Sequence, residues 1–221
     1  MTARRLRAAL AAAVAALALS GCAGFIPGTL AGIAEPTALY VLTPKSTFPD
    51  VPKVTRQLVV ETPTAAAGIN TDRIAVQPNP LSMEFFPGAR WVDRAPLLVQ
   101  TLLIETFENS GGIGAVGRSA VGLRADFSLV TDLREFQARV RSDDPQGPVE
   151  VLVRLNLKVV DSYDDRIVGS ESFQRVARAA SNDMLDVVAA FDEALGRAMR
   201  DAVVWSLGVM SRLDDPRARQ F

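Results

Sequence analysis

Val149-Glu150-Val151-Leu152-Val153-Arg154-Leu155-Asn156-Leu157-Lys158-Val159-Val160 sets Val149, Val151, Val153, Leu155, Leu157 and Val159 on one face, and Glu150, Arg154, Asn156 and Lys158 on the other. Alternation of this length marks a strand with one buried and one wet face, as antiparallel sheets allow. Turn residues bracket it, Asp-Asp-Pro-Gln-Gly-Pro at 143–148 and Ser-Tyr-Asp-Asp at 162–165. They join it to strands predicted over residues 125–133 and 167–177.

The period then changes. Met184, Val188, Phe191, Leu195, Ala198, Ala202, Trp205 and Val209 recur in steps of three and four, which predicts a helix over 183–209 capped by Ser181 or Asn182. Its stripe can seat on the domain's own sheet or on a partner helix, and the first is the simpler expectation. A second helix is predicted over 95–108, with Leu98, Leu102 and Glu105 on one line and Val99, Leu103 and Phe107 beside them. Asp93, Pro96 and the Asn109-Ser110-Gly111-Gly112 stop mark its ends. Earlier strands are expected at 38–42, 57–61 and 73–76, and at 82–86 with 90–91 around a Pro87-Gly88 turn. The order predicts an α+β fold, a mainly antiparallel β-sheet with two principal α-helices packed on one face. A single domain is expected over 37–210, with 211–221 as a flexible C-terminal tail.

The amino terminus carries a different message. Arg4, Arg5 and Arg7 precede an apolar run over 8–19, and Leu19-Ser20-Gly21 leads into Cys22, the chain's one cysteine. The run falls short of the roughly 20 residues that a bilayer core demands, which argues against a retained anchor. A core thiol, or cleavage at an Ala-x-Ala site within the run, are the other readings. The box resembles the lipobox of bacterial lipoproteins. That resemblance implies recognition of Leu19, Ser20 and Gly21 by signal peptidase II, cleavage before Cys22, and covalent diacylglyceryl and N-acyl chains, palmitate among them, on Cys22. Residues 1–21 are then a signal peptide and 22–36 a lipidated tether.

Losing residues 1–21 removes three of 24 basic residues and none of 25 acidic ones, leaving a charge near −4. No nucleic-acid partner is expected from such a balance. No later apolar run is long enough to span a membrane, so a periplasmic body is expected. Histidine is absent, which removes histidine-activated nucleophiles and the commonest metal ligand together. Lysine is confined to Lys45, Lys53 and Lys158, none in a Ser-x-x-Lys motif. No catalytic residue, cofactor or metal is therefore expected.

Three clusters have competing readings. Gly112-Ile-Gly-Ala-Val-Gly117 matches a dinucleotide fingerprint in letters, but a helix precedes it where a strand is needed, so its glycines serve better to end the helix. Asp161, Asp164 and Asp165 lack the glycine and distal glutamate of a calcium loop and read as a solvated turn, although carboxylate chemistry would have to use such groups or Asp126. Met83, Phe85, Phe86 and Trp91 gather apolar bulk around Pro87-Gly88, either as core or as a contact surface for a partner or a lipid chain.

In order, the lipobox, Leu39-Tyr-Val-Leu42, Asp72-Arg-Ile-Ala-Val76, Phe85-Phe86 and Arg90-Trp-Val-Asp-Arg-Ala-Pro96 leading into Leu102 and Phe107 resemble the ABC-type transport auxiliary lipoproteins of the PqiC kind. The Arg-Trp-x-Asp-x-x-Pro entry to the helix is the most specific piece. Phe85-Phe86 stands where many members have a Tyr-Tyr pair. The resemblance implies an auxiliary subunit beside an MlaE-type permease, its ATPase and an MCE-domain protein, moving lipid between inner and outer membranes. Ala23, in place of a retaining Asp, implies the outer membrane. The alternative is a structural lipoprotein that scaffolds an envelope complex without binding lipid.

Overall fold

The computed structural model describes residues 37–119 and 125–214. In chain order the elements are β1 (Ala38–Tyr40), β2 (Val54–Val60), β3 (Thr64–Ala65), β4 (Arg73–Asn79), β5 (Ser82–Trp91), α1 (Ala95–Ser110), β6 (Ile113–Arg118), β7 (Phe127–Arg139), β8 (Glu150–Asp161), β9 (Arg166–Arg178) and α2 (Met184–Asp214). The fold is α+β. The antiparallel pairs β7–β8 and β8–β9 supply most of the ladder.

β7 is the spine of the nine-stranded sheet. One of its edges pairs with β8 from Phe127 to Arg139. The other is shared by three short parallel partners, β2 at Phe127–Leu129, β3 at Asp132 and Leu133, and β4 at Ala138 and Arg139. β6 extends β2, while β5 and then β1 extend β4. These parallel joins have no local signature, because each partner arrives from a distant part of the chain.

The predicted alternation in β8 is realised: Val151, Val153, Leu155, Leu157 and Val159 are fully buried. They face α2, which packs on β8 and β9 and reaches β2 and β7; α1 lies beside α2 against β2 and β6. Trp91 from β5, Phe136 from β7 and Phe191 from α2 form one aromatic knot, with ring centroids 5.0 to 5.6 Å apart. At the outer strand, Phe173 meets Trp205 edge-on at 5.7 Å. The stripe on α2 therefore serves its own sheet.

Several boundaries differ from expectation, each for a physical reason. β7 was expected to stop at 133, where alternation fails at Arg134-Glu135-Phe136. A β-bulge there shifts the register between Leu133 and Glu135, so Phe136 and Ala138 return to the core while Glu135 and Gln137 turn to the opposite face, where Gln137 is itself buried. Pro87-Gly88 is not a turn, and β5 runs through it. Ala75 opposes Phe85 and Arg73 opposes Arg90, so β5 carries extra residues in a bulge where Gly88 takes φ +64°. Asp93 does not cap α1. Arg94 is the N-cap without a side-chain bond, the Ala95 amide donates to the Thr71 carbonyl, and Asp93 Oδ1 accepts from the Arg94 amide. Gly111, at φ 59°, closes that helix. Gly114 and Gly117 lie inside β6, so the dinucleotide-like letters form a strand, pressed so close that a Cβ on Gly114 would sit 3.0 Å from the Thr55 carbonyl oxygen. α2 continues to Asp214, past residue 210 where the tail was expected.

Candidate functional site

Cys22, with Leu19, Ser20 and Gly21 before it, lies outside the described residues, as do the tether and residues 215–221. The site expectations testable on the folded body concern Met83, Phe85, Phe86 and Trp91. They do not form one surface. Trp91 is 1 % exposed and belongs to the aromatic knot, which corrects the reading of it as a lipid or partner contact: past the bulge, at the end of β5, Ala89 and Trp91 are the inward positions. Met83 and Phe86 are half-buried against the core. Phe85 is covered by the Arg73 guanidinium, 3.6 Å from its ring centroid. Exposed apolar side chains in this part of the sheet include Leu39 of the edge strand, Val41 just past its end and Val92 beside them, 65 %, 63 % and 48 % exposed.

The carboxylates singled out in the sequence hold backbone. Asp161 Oδ1 accepts from the Tyr163 amide at 3.0 Å, Asp164 Oδ1 from the Arg166 amide at 3.2 Å, and Asp126 Oδ2 from the Gln57 amide at 2.9 Å. Asp165 takes the left-handed conformation at φ 55°, as a tight hairpin asks. Asp72 receives Arg90 Nη1 on both oxygens at 2.9 Å. The hydrogen bond from Arg90 holds its carboxyl below the usual value of 3.8.

A cleft of about 790 Å³ opens at one end of the face opposite the helices. Its floor is β7 and β8, its walls the end of β4 with the Asn79-Pro80 turn and the β7–β8 loop. Arg139, Arg141 and Arg154 line it together with Glu135, Asp143 and Glu150. Glu150 receives Arg139 at 3.6 Å and Arg141 at 3.3 Å. Arg141 Nε also donates to Asp143 Oδ1 at 3.0 Å. Hydrogen bonding between those two raises the Arg141 guanidinium further and depresses the Asp143 carboxyl. This cleft was missed in the sequence because its parity depends on the bulge at Arg134. Read without the bulge, Glu135 and Gln137 fall on the wrong face.

Comparisons with known proteins agree with this architecture. A family model described as ABC-type transport auxiliary lipoprotein component matches residues 40–203. The crystal structure of protein XCC0632 from Xanthomonas campestris is similar at 33% identity and a TM-score of 0.72, covering 78% of this chain and 95% of that one. A second crystal structure, of an uncharacterized protein, shares the fold at TM-score 0.53 and 14% identity, with 81% and 99% of the two chains covered. The uncharacterized protein bll6063 of Bradyrhizobium diazoefficiens is 30% identical over 196 residues, which is 83% of this chain and 51% of that protein. The chain thus spans about half the length of that curated relative.

Proposed function

The chain belongs to the ABC-type transport auxiliary lipoprotein component family, and from that premise we propose that it is a lipid-anchored, non-enzymatic subunit of an MCE and MlaE-type system that moves lipid between the two membranes. The observation that carries the proposal is the pairing of this family's domain over 40–203 with a lipobox ending at Cys22. Among the described residues no helix is long and apolar enough to cross a membrane, so attachment falls to the acyl chains. Each buried methylene contributes about 0.8 kcal/mol, and two or three chains hold where one lets go. Ala23 favours the periplasmic leaflet of the outer membrane. There the domain docks the far end of an MCE assembly whose permease and ATPase sit in the inner membrane.

The direct test is in vivo crosslinking followed by affinity purification of the tagged chain. Recovery of an MCE-domain protein supports the proposal, and its repeated absence contradicts it. Sucrose-gradient fractionation checks the membrane, and the protein is expected with outer-membrane markers.

A further inference from the structure

Two glutamate–arginine pairs cross the β7–β8 ladder on the floor of the open cleft, in reversed order. Arg139 opposes Glu150, and Glu135 opposes Arg154. Directly opposed residues on one face stand about 5 Å apart at Cβ, close enough for such a pair to close. The first has closed, with Arg139 at 3.6 Å and Arg141 at 3.3 Å from the Glu150 carboxylate. The second has not. Arg154 turns its Nε to Gln174 on the outer strand at 2.8 Å, and Glu135 accepts from the side-chain Nε2 of Gln137 on its own strand. Among the described residues no ion pair joins them, and none takes the terminal nitrogens of Arg154. An anion site and a cation site are thus held side by side and left open to the cleft. Leu152, 4 % exposed, forms the floor next to Arg154.

We propose that this cleft binds the phosphoethanolamine group of a zwitterionic phospholipid, with phosphate on Arg154 and the primary ammonium on Glu135. The cleft carries three guanidinium and three carboxylate groups, so it offers a lone anion or cation little net attraction, whereas a zwitterion satisfies both poles together. The ammonium is primary because a quaternary one is ordinarily held by aromatic faces, and no aromatic side chain lines the cleft. The inference rests on the lipid-transport reading only in naming a phospholipid as the source.

The test is calorimetric titration of the full-length chain in a non-ionic detergent with O-phosphoethanolamine, phosphocholine, inorganic phosphate and dihexanoyl phosphatidylethanolamine. Phosphoethanolamine is expected to bind at least about tenfold more tightly than phosphocholine or phosphate, with Glu135→Gln and Arg154→Gln each costing about tenfold or more. Lys158→Gln, on the same sheet face outside the cleft, is expected to change nothing, and unchanged melting temperatures keep folding out of the comparison. Tighter binding of the dihexanoyl lipid than of the free headgroup assigns a membrane source; equal binding assigns a soluble one. Phosphate binding as well as phosphoethanolamine, or no saturable binding at all, overturns the proposal. Zwitterion binding without an MCE partner would remove the transport reading and leave the site standing.

Discussion

Along one edge of β7 a single neighbour runs antiparallel for the strand's whole length, while along the other β2, β3 and β4 take short turns in parallel. The first edge is a hairpin. Its register follows from a local turn and from side chains that alternate on both partners. The second edge is assembled from segments too brief to persist alone, and what holds them is the core beneath. Trp91 is the clearest tie, because it joins β5 to Phe136 on β7 and Phe191 on α2.

The largest expected effect comes from cutting that tie. Trp91→Ala should destabilise the fold by about 3–5 kcal/mol in denaturant titration. Amide exchange in the variant should quicken first in β1, β4 and β5 while β8 keeps its protection, and a uniform rise would erase the distinction between the edges.

Two glycines sharpen the comparison at smaller cost. A Cβ on Gly112, at the entry to β6, would lie 2.6 Å from Leu207 Cδ1 and 3.2 Å from the Pro52 carbonyl oxygen. Gly112→Ala should therefore cost about 1–3 kcal/mol, since backbone cannot retreat as a side chain can. On β9 a Cβ at Gly169 would meet only side-chain atoms of Trp205 and Val209, at 3.1 Å. Gly169→Ala should cost about 1 kcal/mol or less, and thermal melts of the two variants decide the order.

The smallest effect belongs to Asp72. Its carboxyl is lowered by the Arg90 hydrogen bond, so the pair stabilises the fold above the ordinary carboxylate value and stops doing so as pH falls through the folded-state value. Both side chains are well exposed, at 45% and 38%, which limits the contribution to about 1 kcal/mol or less. Asp72→Asn should lower the melting temperature at neutral pH, and the gap should shrink in acid below the ordinary value. A gap that widens in acid would contradict the assignment.

How much of this was legible in the sequence follows the same division. The β8 alternation, the α2 stripe and the turns at 143–148 and 162–165 encode local structure, and they place the meander and its covering helix. Parallel joins such as Val76 with Ala138 are closed by tertiary packing, for which no single segment carries a pattern. The bulge at Arg134 breaks a period-two reading at the place where the cleft begins, so Glu135 and Arg154 stay invisible as neighbours until the register is known. For Trp91, an aromatic beside Pro87-Gly88 looks the same in sequence whether it serves as core or as contact. The strand's inward parity settles it as core.

At the centre of the functional account is acylation of Cys22. Growth with radiolabelled palmitate, comparing the native chain with Cys22→Ser, measures it directly. The account predicts a labelled, shortened, membrane-bound native protein and an unlabelled, unprocessed variant. An unlabelled native protein, processed and distributed just as its serine variant is, would contradict it.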